Sequence, residues 1–296
     1  ALRLAMDEEL ARDDKVIRLG QDVGILGGAY GVTGDLYHKY GPDRIIDSPL
    51  AENAIVGFGI GAAMMGWRPI MEIMKMDFSM VAVDPIVNHL AKYRFMSGGQ
   101  IEKMPAVVRT AIGGGTRSGP HHSYSLHHIF AGFPGLKLVC ASTPEDAKGL
   151  LKSAIRSDNP VLFCEPKLLY QSKQEIPDEI YHSDYTIPLG QADVKRQGKD
   201  VTLVAVGLMV PRAMEAAQKL AAEGIEVEVV DPRTITPLDK DTIFASIRKT
   251  HRAAVVEESN KTAGIGAELA ALFQEELYDE LDGPVVRIAA LDVPMP

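Results

Sequence analysis

Cysteine is scarce in this chain of 296 residues, which has only Cys140 and Cys164. Both lie in apolar runs, where a thiol packs as a small hydrophobic group rather than as one half of a cross-link. Two buried thiols in a chain of this length exclude a disulfide-stabilised scaffold and predict a reducing compartment.

An excess of basic charge and a long hydrophobic run are also absent. The apolar stretch 54–67 has no charged residue, but it is shorter than the about 18 residues that a membrane-spanning helix needs. Lys plus Arg number 31 against 40 for Asp plus Glu, so the net charge is −9. Because phosphate contacts need a basic surface, this balance argues against a general nucleic-acid binder. We therefore expect neither a membrane nor a nucleic acid as partner.

Signals of several other classes are missing as well. No secretory signal peptide opens the chain, and no Walker-type phosphate loop occurs in it. The opening without Met and the end at Pro296 predict that both termini are trimmed. Hydrophobic residues at 46% and charged residues at 24% are ordinary for a globular protein, and the length predicts about two domains.

Short β-branched runs alternate with amphipathic stretches, which is the pattern of a mainly parallel α/β sheet. The stretch that opens Thr143-Pro144 has a capping residue followed by proline, as expected where a helix begins. In the first half, the predicted strands are Val16–Leu19, Pro69–Met74, Ala106–Arg109, Leu136–Cys140 and Pro160–Cys164, and the predicted helices are 2–11, 52–65, 81–95 and 144–157.

The alternation stops between Lys167 and Lys199, where prolines, polar residues and scattered aromatics dominate. We interpret this stretch as an extended connection, so that 1–175 forms one α/β domain, 176–199 connects and 200–296 forms a second. In the second domain the predicted strands are 201–206, 225–230, 253–257 and 285–289, and the predicted helices are 211–222, 239–249 and 264–280.

Two glycine clusters are candidate ligand loops. Gly57, Gly59 and Gly61 have the spacing of a dinucleotide fingerprint, but no buried strand leads into them, which favours a helix whose small residues allow close packing. The run 113–115 follows a predicted strand. A ligand-facing loop at the carboxyl end of that strand and a plain turn are equally compatible with it.

Four of the eight histidines fall within 121–128. Adjacent histidines on an extended segment point in opposite directions, so His121 and His122 have poor spacing for a metal site. The segment is either a polar loop with a helix cap, or it places a histidine at the ligand edge of the sheet as an acid, a base or an oxyanion partner. The residues alone do not decide between these alternatives.

Glu52 stands at the start of a predicted helix that has no other charge before Arg68. A carboxylate in the first turn is commonly explained by the positive end of the helix dipole. The functional alternative is a partly buried acid that shares a proton with a ligand. Both explanations stay open at the level of single residues.

Short motifs follow one another along the whole chain, and as an ordered set they are far more specific than any one alone. They are Gln21-Asp22-Val23-Gly24, Gly27-Gly28, Asp47-Ser48-Pro49-Leu50-Ala51-Glu52, Phe78-Ser79-Met80, Tyr93-Arg94-Phe95-Met96-Ser97-Gly98-Gly99, His122-Ser123, Pro134-Gly135-Leu136-Lys137, Glu165-Pro166-Lys167-Leu168-Leu169-Tyr170, and Asp231-Pro232-Arg233-Thr234-Ile235 with Pro237. In this order they resemble the β subunit of the thiamine-diphosphate-dependent decarboxylase component of 2-oxo acid dehydrogenase complexes. The family includes the pyruvate, branched-chain 2-oxo acid and acetoin enzymes.

The resemblance implies a fold and a set of residue roles. The fold is a pyrimidine-binding α/β domain with a parallel sheet, followed by a transketolase-like C-terminal α/β domain. The acid of the Pro-x-x-Glu turn, here Glu52, protonates the aminopyrimidine ring of the cofactor, and the aromatic at Phe78 packs near that ring. The histidine of the His-Ser pair, His122, faces the reaction centre. We expect His121 to point away from the cofactor and to line the channel.

The resemblance also implies partners and a location. The family holds the cofactor diphosphate through magnesium on a Gly-Asp-Gly motif followed by Asn-Asn, and this chain has neither. We therefore expect an α subunit that binds magnesium, in an assembly of two α and two β chains, together with the lipoyl domain and core of a dihydrolipoyl acyltransferase. The expected location is the cytoplasm of a bacterium or archaeon, or the mitochondrial matrix of a eukaryote.

Three positions depart from the family pattern. Gln21, a residue of the substrate channel, stands where Glu is usual, which argues against a proton relay through this position. Tyr124 follows the His-Ser pair where Gln is usual, and we expect it to change the shape of the substrate channel. Family members often bind a structural potassium ion through strand carbonyls and an Asp-x-Asn turn. Ser157 replaces that Asp here, so one oxygen ligand of a potassium site is changed. The residues expected to form such a site are Ala106, Ala154, Ser157 and Asn159.

Three functions remain in competition. The leading hypothesis is a catalytic β subunit that acts on pyruvate or a branched-chain 2-oxo acid and transfers the acyl group to a lipoyl domain. The acetoin enzymes use the same cofactor and a similar β subunit, which makes them the alternative. A non-catalytic assembly partner is the third hypothesis, and the retention of Glu52 and His122 counts against it.

Overall fold

The computed structural model describes residues 1–182 and 184–295. Its strands are β1 (Val16–Gln21), β2 (Ile45–Ser48), β3 (Arg68–Ile73), β4 (Val107–Ile112), β5 (Lys137–Cys140), β6 (Val161–Pro166), β7 (Asp193–Arg196), β8 (Val201–Ala205), β9 (Val227–Asp231), β10 (Thr234–Thr236), β11 (Ala253–Asn260) and β12 (Val286–Ala290). Its α-helices are α1 (Leu2–Arg12), α2 (Leu36–Tyr40), α3 (Glu52–Met64), α4 (Tyr93–Met96), α5 (His127–Ala131), α6 (Pro144–Arg156), α7 (Asp178–His182), α8 (Met209–Ala221), α9 (Lys240–Thr250) and α10 (Ile265–Leu277). Short 3₁₀ turns cover Met76–Met80, Pro120–His122, Lys167–Leu169 and Tyr278–Glu280, and a π-helix covers Pro85–Leu90.

The strands form two sheets. One has seven strands in the order β10-β5-β6-β4-β3-β1-β2, and the other has five in the order β12-β11-β8-β9-β7. Pairing among the described strands is parallel except at two edges, where β10 pairs with β5 and β7 pairs with β9 in antiparallel fashion. The predicted two-part α/β fold is therefore confirmed. No helix in the described ranges is long and apolar enough to cross a membrane.

Two features differ from the sequence-based expectations. The stretch predicted as an extended connection contains α7 and the edge strand β7, so it is partly ordered structure of the second sheet. The helix predicted over 81–95 is instead the π-helix Pro85–Leu90 followed by α4. The boundaries proposed for the two domains stay a prediction.

Burial explains why the sequences of the central strands are continuous apolar runs. The strands β4 and β6 are buried along their whole length, as expected for parallel strands covered on both faces. The helix α6 begins as its sequence predicts, with the Thr143 hydroxyl accepting from the Asp146 N–H at 3.1 Å. Two large clusters of buried apolar residues pack on the seven-stranded sheet. The larger cluster continues into the five-stranded sheet through residues such as Val204 and Val255.

Charged side chains are buried within the first sheet. The guanidinium of Arg109 makes two hydrogen bonds to Glu165, at 2.7 and 2.8 Å, and a third to Glu72 at 2.9 Å. Glu72 also pairs with Arg18, which is fully buried on β1. Burial is costly for charged groups unless they are paired and hydrogen-bonded, and this cross-strand chain meets that requirement. It ties β1, β3, β4 and β6 together below the carboxyl edge of the sheet.

The motif Asp231-Pro232-Arg233 joins the two sheets. Arg233 donates from Nε to Asp146 Oδ1 at 2.7 Å, and Lys195 donates from Nζ to Asp146 Oδ2 at 2.8 Å. The Ser142 hydroxyl lies between Asp146 and Asp231. Burial and the neighbouring Asp146 carboxylate raise the pKa of Asp231 to about 7. The junction between the sheets therefore contains a buried acid that binds its proton more tightly than an exposed aspartate does.

Candidate active site

The predicted site residues lie at the carboxyl edge of the seven-stranded sheet. Gln21 ends β1, Glu52 follows β2, Phe78 follows β3, and His122 follows β4. These four strands are contiguous in the sheet, in the order β4-β3-β1-β2. The carboxyl ends of parallel strands form the usual ligand crevice of an α/β sheet, so the fold collects the predicted residues where a ligand would bind.

Glu52 is the first residue of α3 and is only 8% exposed. Among the described residues it has neither a hydrogen-bond partner nor an ion pair. Its carboxylate oxygens are not among the fully buried unpaired atoms of the described chain, so they still reach solvent and are free to accept from a ligand. The position at the positive end of the helix helps, yet the side chain still lacks a group that would donate to it. This combination is what a ligand-binding acid requires.

The glycine-rich helix explains how Glu52 is placed. A Cβ atom on Gly59 would lie 2.1 Å from Met71 Sδ, so only glycine lets α3 pack this closely on β3. Gly57 and Gly61 have open space on the other face of the helix. The prediction of a helix rather than a phosphate loop is therefore confirmed, and close packing on the sheet is found at Gly59.

Phe78 and the two histidines form one aromatic cluster. The Phe78 and His122 ring centroids are 5.3 Å apart at 83°, an edge-to-face contact, and the His121 and His122 rings are 4.2 Å apart. The segment Pro120–His122 is a 3₁₀ turn and not an extended strand. The expectation that His121 and His122 point in opposite directions is therefore wrong, because that alternation holds only for extended backbone.

Three groups of the first domain hold the backbone around His122. The His122 Nδ1 atom lies 3.1 Å from the Ser118 carbonyl oxygen, which fixes the ring to its own loop. Lys167 donates from Nζ to the His122 carbonyl oxygen, and the Tyr124 N–H donates to Asp77 Oδ1 at 3.2 Å. Burial lowers the pKa of Lys167. Lys167 belongs to the motif that runs from Glu165 to Tyr170, whereas Asp77 only precedes Phe78, and no local pattern indicates that either residue anchors this loop.

The glycine run 113–115 is neither a phosphate cradle nor a free turn. Gly113 and Gly114 are buried, and the Gly114 N–H donates to Glu258 Oε1 at 3.0 Å. Gly113 has φ +95°, and a Cβ there would lie 2.4 Å from Glu258 Oε2. The loop therefore needs glycine because a carboxylate of β11 occupies the space beside it.

Gln21 and Tyr124 are both half-buried at this edge. Gln21 donates from Nε2 to Asp22 Oδ2 at 3.3 Å, so its side chain turns along its own loop. Tyr124 is fixed through its backbone, since its carbonyl oxygen accepts from the Gly113 N–H at 3.3 Å. Of the predicted residues, Phe78, His121 and His122 thus share one cluster of ring contacts, and Tyr124 lies in the same loop. Gln21 ends β1 and Glu52 begins α3, and no ring contact in the described part of the chain joins either of them to that cluster.

His127, which also belongs to the histidine-rich segment 121–128, has a different environment. His127 is 2% exposed in α5, and neither of its ring nitrogens has a partner in the described chain. Burial lowers the pKa of His127 to about 3, so the ring is neutral. Within residues 1–182 and 184–295 no group of three or more His, Cys, Asp or Glu side chains could hold a metal ion.

The residues expected to bind potassium lie at the opposite end of the strands. Ala106 precedes β4, and Ser157 and Asn159 lie between α6 and β6. Each backbone oxygen concerned accepts a hydrogen bond: Ala106 from the Val161 N–H at 2.9 Å, Ala154 from the Ser157 N–H at 3.2 Å, and Asn159 from Ser157 Oγ at 2.9 Å. A carbonyl has a second lone pair, so potassium binding stays a prediction.

A cavity of about 660 Å³ lies apart from the candidate site residues Glu52 and His122. It is bounded by α1, the loop around Tyr30 and the ends of β5 and β6, and Glu165 and Tyr170 line it. The Tyr170 hydroxyl donates to Glu165 Oε2 at 2.8 Å, and burial raises the pKa of Tyr170 well above its usual value. Since neither Glu52 nor His122 lines this cavity, size alone does not identify the site.

The geometry fits one half of a thiamine cofactor. A carboxylate that is free to bind, at the same edge of the sheet as a half-buried aromatic ring, suits a protonated heteroaromatic ring. A diphosphate needs a metal or several cationic donors, and Lys167 at this edge already donates to the His122 carbonyl. The chain thus offers a pyrimidine site, while its sequence lacks Gly-Asp-Gly and Asn-Asn for the diphosphate.

Fold and site together define a transketolase-like chain. The model of the transketolase pyrimidine-binding domain matches residues 1–173, and that of the transketolase C-terminal domain matches residues 190–296. A solved structure described as a split-gene transketolase, inactive beta4 tetramer, covers 99% of this chain and 88% of its own with a TM-score of 0.80. Its sequence identity is 24%, so it supports the fold alone.

Full-length relatives narrow the class to one family. The pyruvate dehydrogenase E1 component subunit beta of Dictyostelium discoideum is 47% identical over 100% of this chain and 83% of its own length. The corresponding subunit of Porphyra purpurea is 48% identical, covering 100% and 88%. The 2-oxoisovalerate dehydrogenase subunit beta of Bacillus subtilis is 47% identical, covering 99% and 89%. The chain belongs to the β subunits of the E1 component of thiamine-dependent 2-oxo acid dehydrogenases, as its motifs predict.

Proposed function

We propose that this chain supplies the pyrimidine half of the active site in a dehydrogenase that decarboxylates pyruvate or a branched-chain 2-oxo acid and acylates a lipoyl group. The observation that supports it most directly is the nearly buried, unpartnered carboxylate of Glu52 at the ligand edge. The full-length similarity to pyruvate and 2-oxoisovalerate dehydrogenase β subunits supports the same proposal.

Each predicted site residue has a role in this proposal. Bound thiamine diphosphate supplies a nucleophilic carbon and an electron sink for the decarboxylation. Glu52 holds and exchanges a proton at a ring nitrogen of the pyrimidine, and Phe78 packs against that ring. His122 donates a proton to the oxygen of the 2-oxo group or to the lipoyl sulfur. His121, Tyr124 and Gln21 line the substrate channel.

The missing diphosphate site makes a partner part of the proposal. An α subunit would bind magnesium and the diphosphate, in an assembly of two α and two β chains. A lipoyl domain and an acyltransferase core would take up the product, and potassium would bind at Ala106, Ala154, Ser157 and Asn159. We place the complex in the bacterial or archaeal cytoplasm or in the mitochondrial matrix, since the relatives include mitochondrial and bacterial proteins.

Two alternatives have less support. An acetoin-cleaving enzyme would use the same Glu52 and Phe78, and no contact in the described chain favours acetoin over a 2-oxo acid. A purely structural partner has no need of an acid at the ligand edge whose side chain makes no hydrogen bond or ion pair in the described chain. Glu52 therefore counts against a non-catalytic subunit.

Reconstitution with an α-type chain from the same genome tests the proposal. We expect thiamine- and magnesium-dependent decarboxylation of pyruvate or 3-methyl-2-oxobutanoate, with acetoin as the competing substrate. A complex that assembles but turns over none of these substrates would contradict catalysis. Turnover of acetoin alone would select the alternative.

Calorimetry on the β chain alone tests the missing diphosphate site. We expect weak binding of thiamine diphosphate or none, since only the pyrimidine contacts are present. The complex with the α chain is the positive control. Micromolar, magnesium-dependent binding to the β chain alone would show that the chain holds the diphosphate by itself.

A further inference from the structure

The second sheet reaches the loop of His122 through one carboxylate. Glu258 lies near the end of β11, and its Oε1 accepts from the Gly114 N–H at 3.0 Å while its Oε2 accepts from the Ser125 hydroxyl at 3.0 Å. The next residue, Ser259, donates from its hydroxyl to the Ser125 carbonyl oxygen at 2.8 Å. Two consecutive residues of β11 thus hold Ser125, which is three positions beyond His122.

The glycine loop and Ser125 both have the geometry that the contact with Glu258 needs. Gly113 takes φ +95° and has no side chain, and Glu258 Oε2 lies within 2.4 Å of the place where its Cβ would be. Ser125 is 1% exposed, so its hydroxyl depends on this carboxylate rather than on solvent. A charge-assisted hydrogen bond in such a place is stronger than a neutral one at a wet surface.

The segment from His122 to Ser125 is therefore held from two sides. The first domain holds its beginning, through Lys167 at the His122 carbonyl and Asp77 at the Tyr124 N–H. The second domain holds its end, through Glu258 and Ser259 at Ser125. Lys167 and Glu258 carry opposite charges and interact electrostatically across the loop.

We propose that Glu258 is a positioning residue through which the second domain sets the conformation of the His122 loop. It does not touch the reacting atoms in this geometry. It fixes Gly114 and Ser125 on either side of the histidine pair, so that the ring of His122 keeps its contact with Phe78. The inference rests on the proposed function for its kinetic part alone, because the loop conformation can be measured without turnover.

Three variants separate positioning from general stability. Glu258→Ala removes both acceptors, whereas in Glu258→Gln the side-chain oxygen still accepts from Gly114 and the amide can donate to Ser125. Ser125→Ala removes one donor only and leaves the carboxylate with Gly114. Glu215→Ala is the matched control, since Glu215 is an exposed carboxylate of the same domain that pairs with Arg212 on the surface.

Hydrogen exchange on the full-length chain is the first measurement. We expect Glu258→Ala to speed amide exchange within 113–125 at least severalfold, with Glu258→Gln close to wild type and Glu215→Ala unchanged. The effect of Ser125→Ala should be smaller and should disappear in the Glu258→Ala background, because the two residues act through one contact. Equal exchange in Glu258→Ala and Glu215→Ala would overturn the proposal.

Kinetics of the reconstituted complex are the second measurement. We expect Glu258→Ala to lower kcat about tenfold while KM for the cofactor stays within about twofold, below the hundredfold that a 1 Å misplacement can cost. Glu258→Gln should recover most of that loss. Faster exchange with unchanged kcat would reduce Glu258 to a structural contact and refute positioning. An inactive wild-type complex would contradict the proposed function, while the exchange result would still decide whether Glu258 holds the loop.

Discussion

The two ends of the candidate site are built in opposite ways. Around His122, a lysine, two carboxylates and two serines fix the backbone or the ring, and they come from both sheets. Glu52 has no hydrogen bond or ion pair in the described chain, although it is nearly as buried as a core residue. Both residues follow strands of the same sheet, so their position in the fold does not explain this difference. It arises from the polar side chains that surround His122 and are missing around Glu52 in the described chain.

This contrast indicates which part of the site is complete in the single chain. Polar groups in a preformed site are fixed before the ligand arrives, which lowers the reorganisation needed during the reaction. Glu52 has no such support in the described chain, so a bound ligand would supply its first hydrogen-bond partner. We therefore expect the His122 side to be preorganised and the Glu52 side to be completed by the cofactor.

The substitution Glu52→Gln tests this contrast and should have the largest effect on turnover. Glutamine keeps the shape but cannot donate and recover a proton, so turnover of the reconstituted complex should fall on the order of a hundredfold or more. Thermal unfolding of the free chain should be unchanged, because the Glu52 side chain makes no hydrogen bond or ion pair in the described chain that glutamine would lose. Steady-state rates at saturating cofactor and a melting curve are the measurements. Near-normal turnover would refute the proton role.

The substitution His122→Ala should cost about a hundredfold in turnover, the scale of one positioned proton donor. Cofactor binding should survive, since His122 does not hold the pyrimidine. His121→Ala is the matched variant and should cost much less, although its ring packs on His122 and the loss will loosen that ring. Assays with an artificial electron acceptor and with the lipoyl domain show which step fails. A dead His121→Ala beside a mild His122→Ala would reverse the assignment.

The sequence predicted most of the regular elements and the carboxyl edge of the sheet as the place of the candidate site. Most strands and helices were placed within a few residues, because apolar runs and capping residues act locally. The three-residue strand β10 was missed, since its partner β5 lies almost a hundred residues earlier and its own apolar signal is a single Ile235. The 3₁₀ turn at His122 was missed for a similar reason, because contacts from Lys167 and Asp77 shape it.

The same limit applies to the anchors of the site. Lys167 belongs to a motif and Asp77 directly precedes one, yet their targets are backbone atoms 45 residues or more away. Glu258 was not singled out at all, since nothing local distinguishes it from Glu257, which accepts from the N–H groups of Ile265 and Gly266 at the start of α10. Local patterns predict which residue types meet a ligand, whereas distant contacts decide how firmly each is held.

His127 sharpens the comparison, because it is a second buried group without a partner and we expect it to be structural. Its pKa is lowered to about 3 by burial, so the folded chain keeps it neutral while the unfolded chain protonates it below about 6.5. The stability it contributes is fully present above pH 6.5 and is lost as the pH falls from there towards 3. The slope is about 1.4 kcal/mol per pH unit for one proton.

Urea unfolding of the full chain at pH 7.5 and pH 5 checks this expectation. His127→Leu should keep most of the free energy of unfolding at pH 7.5. Between pH 7.5 and pH 5 it should lose less of that free energy than the wild type, by the amount that corresponds to one bound proton. His38 is exposed, so His38→Asn should unfold like the wild type at both pH values. Turnover of the His127→Leu complex should stay near normal, since neither ring nitrogen contacts the site loop. A hundredfold loss of turnover would give His127 a role like that of Glu52, and the distinction between a ligand-binding acid and a neutral core histidine would then be wrong.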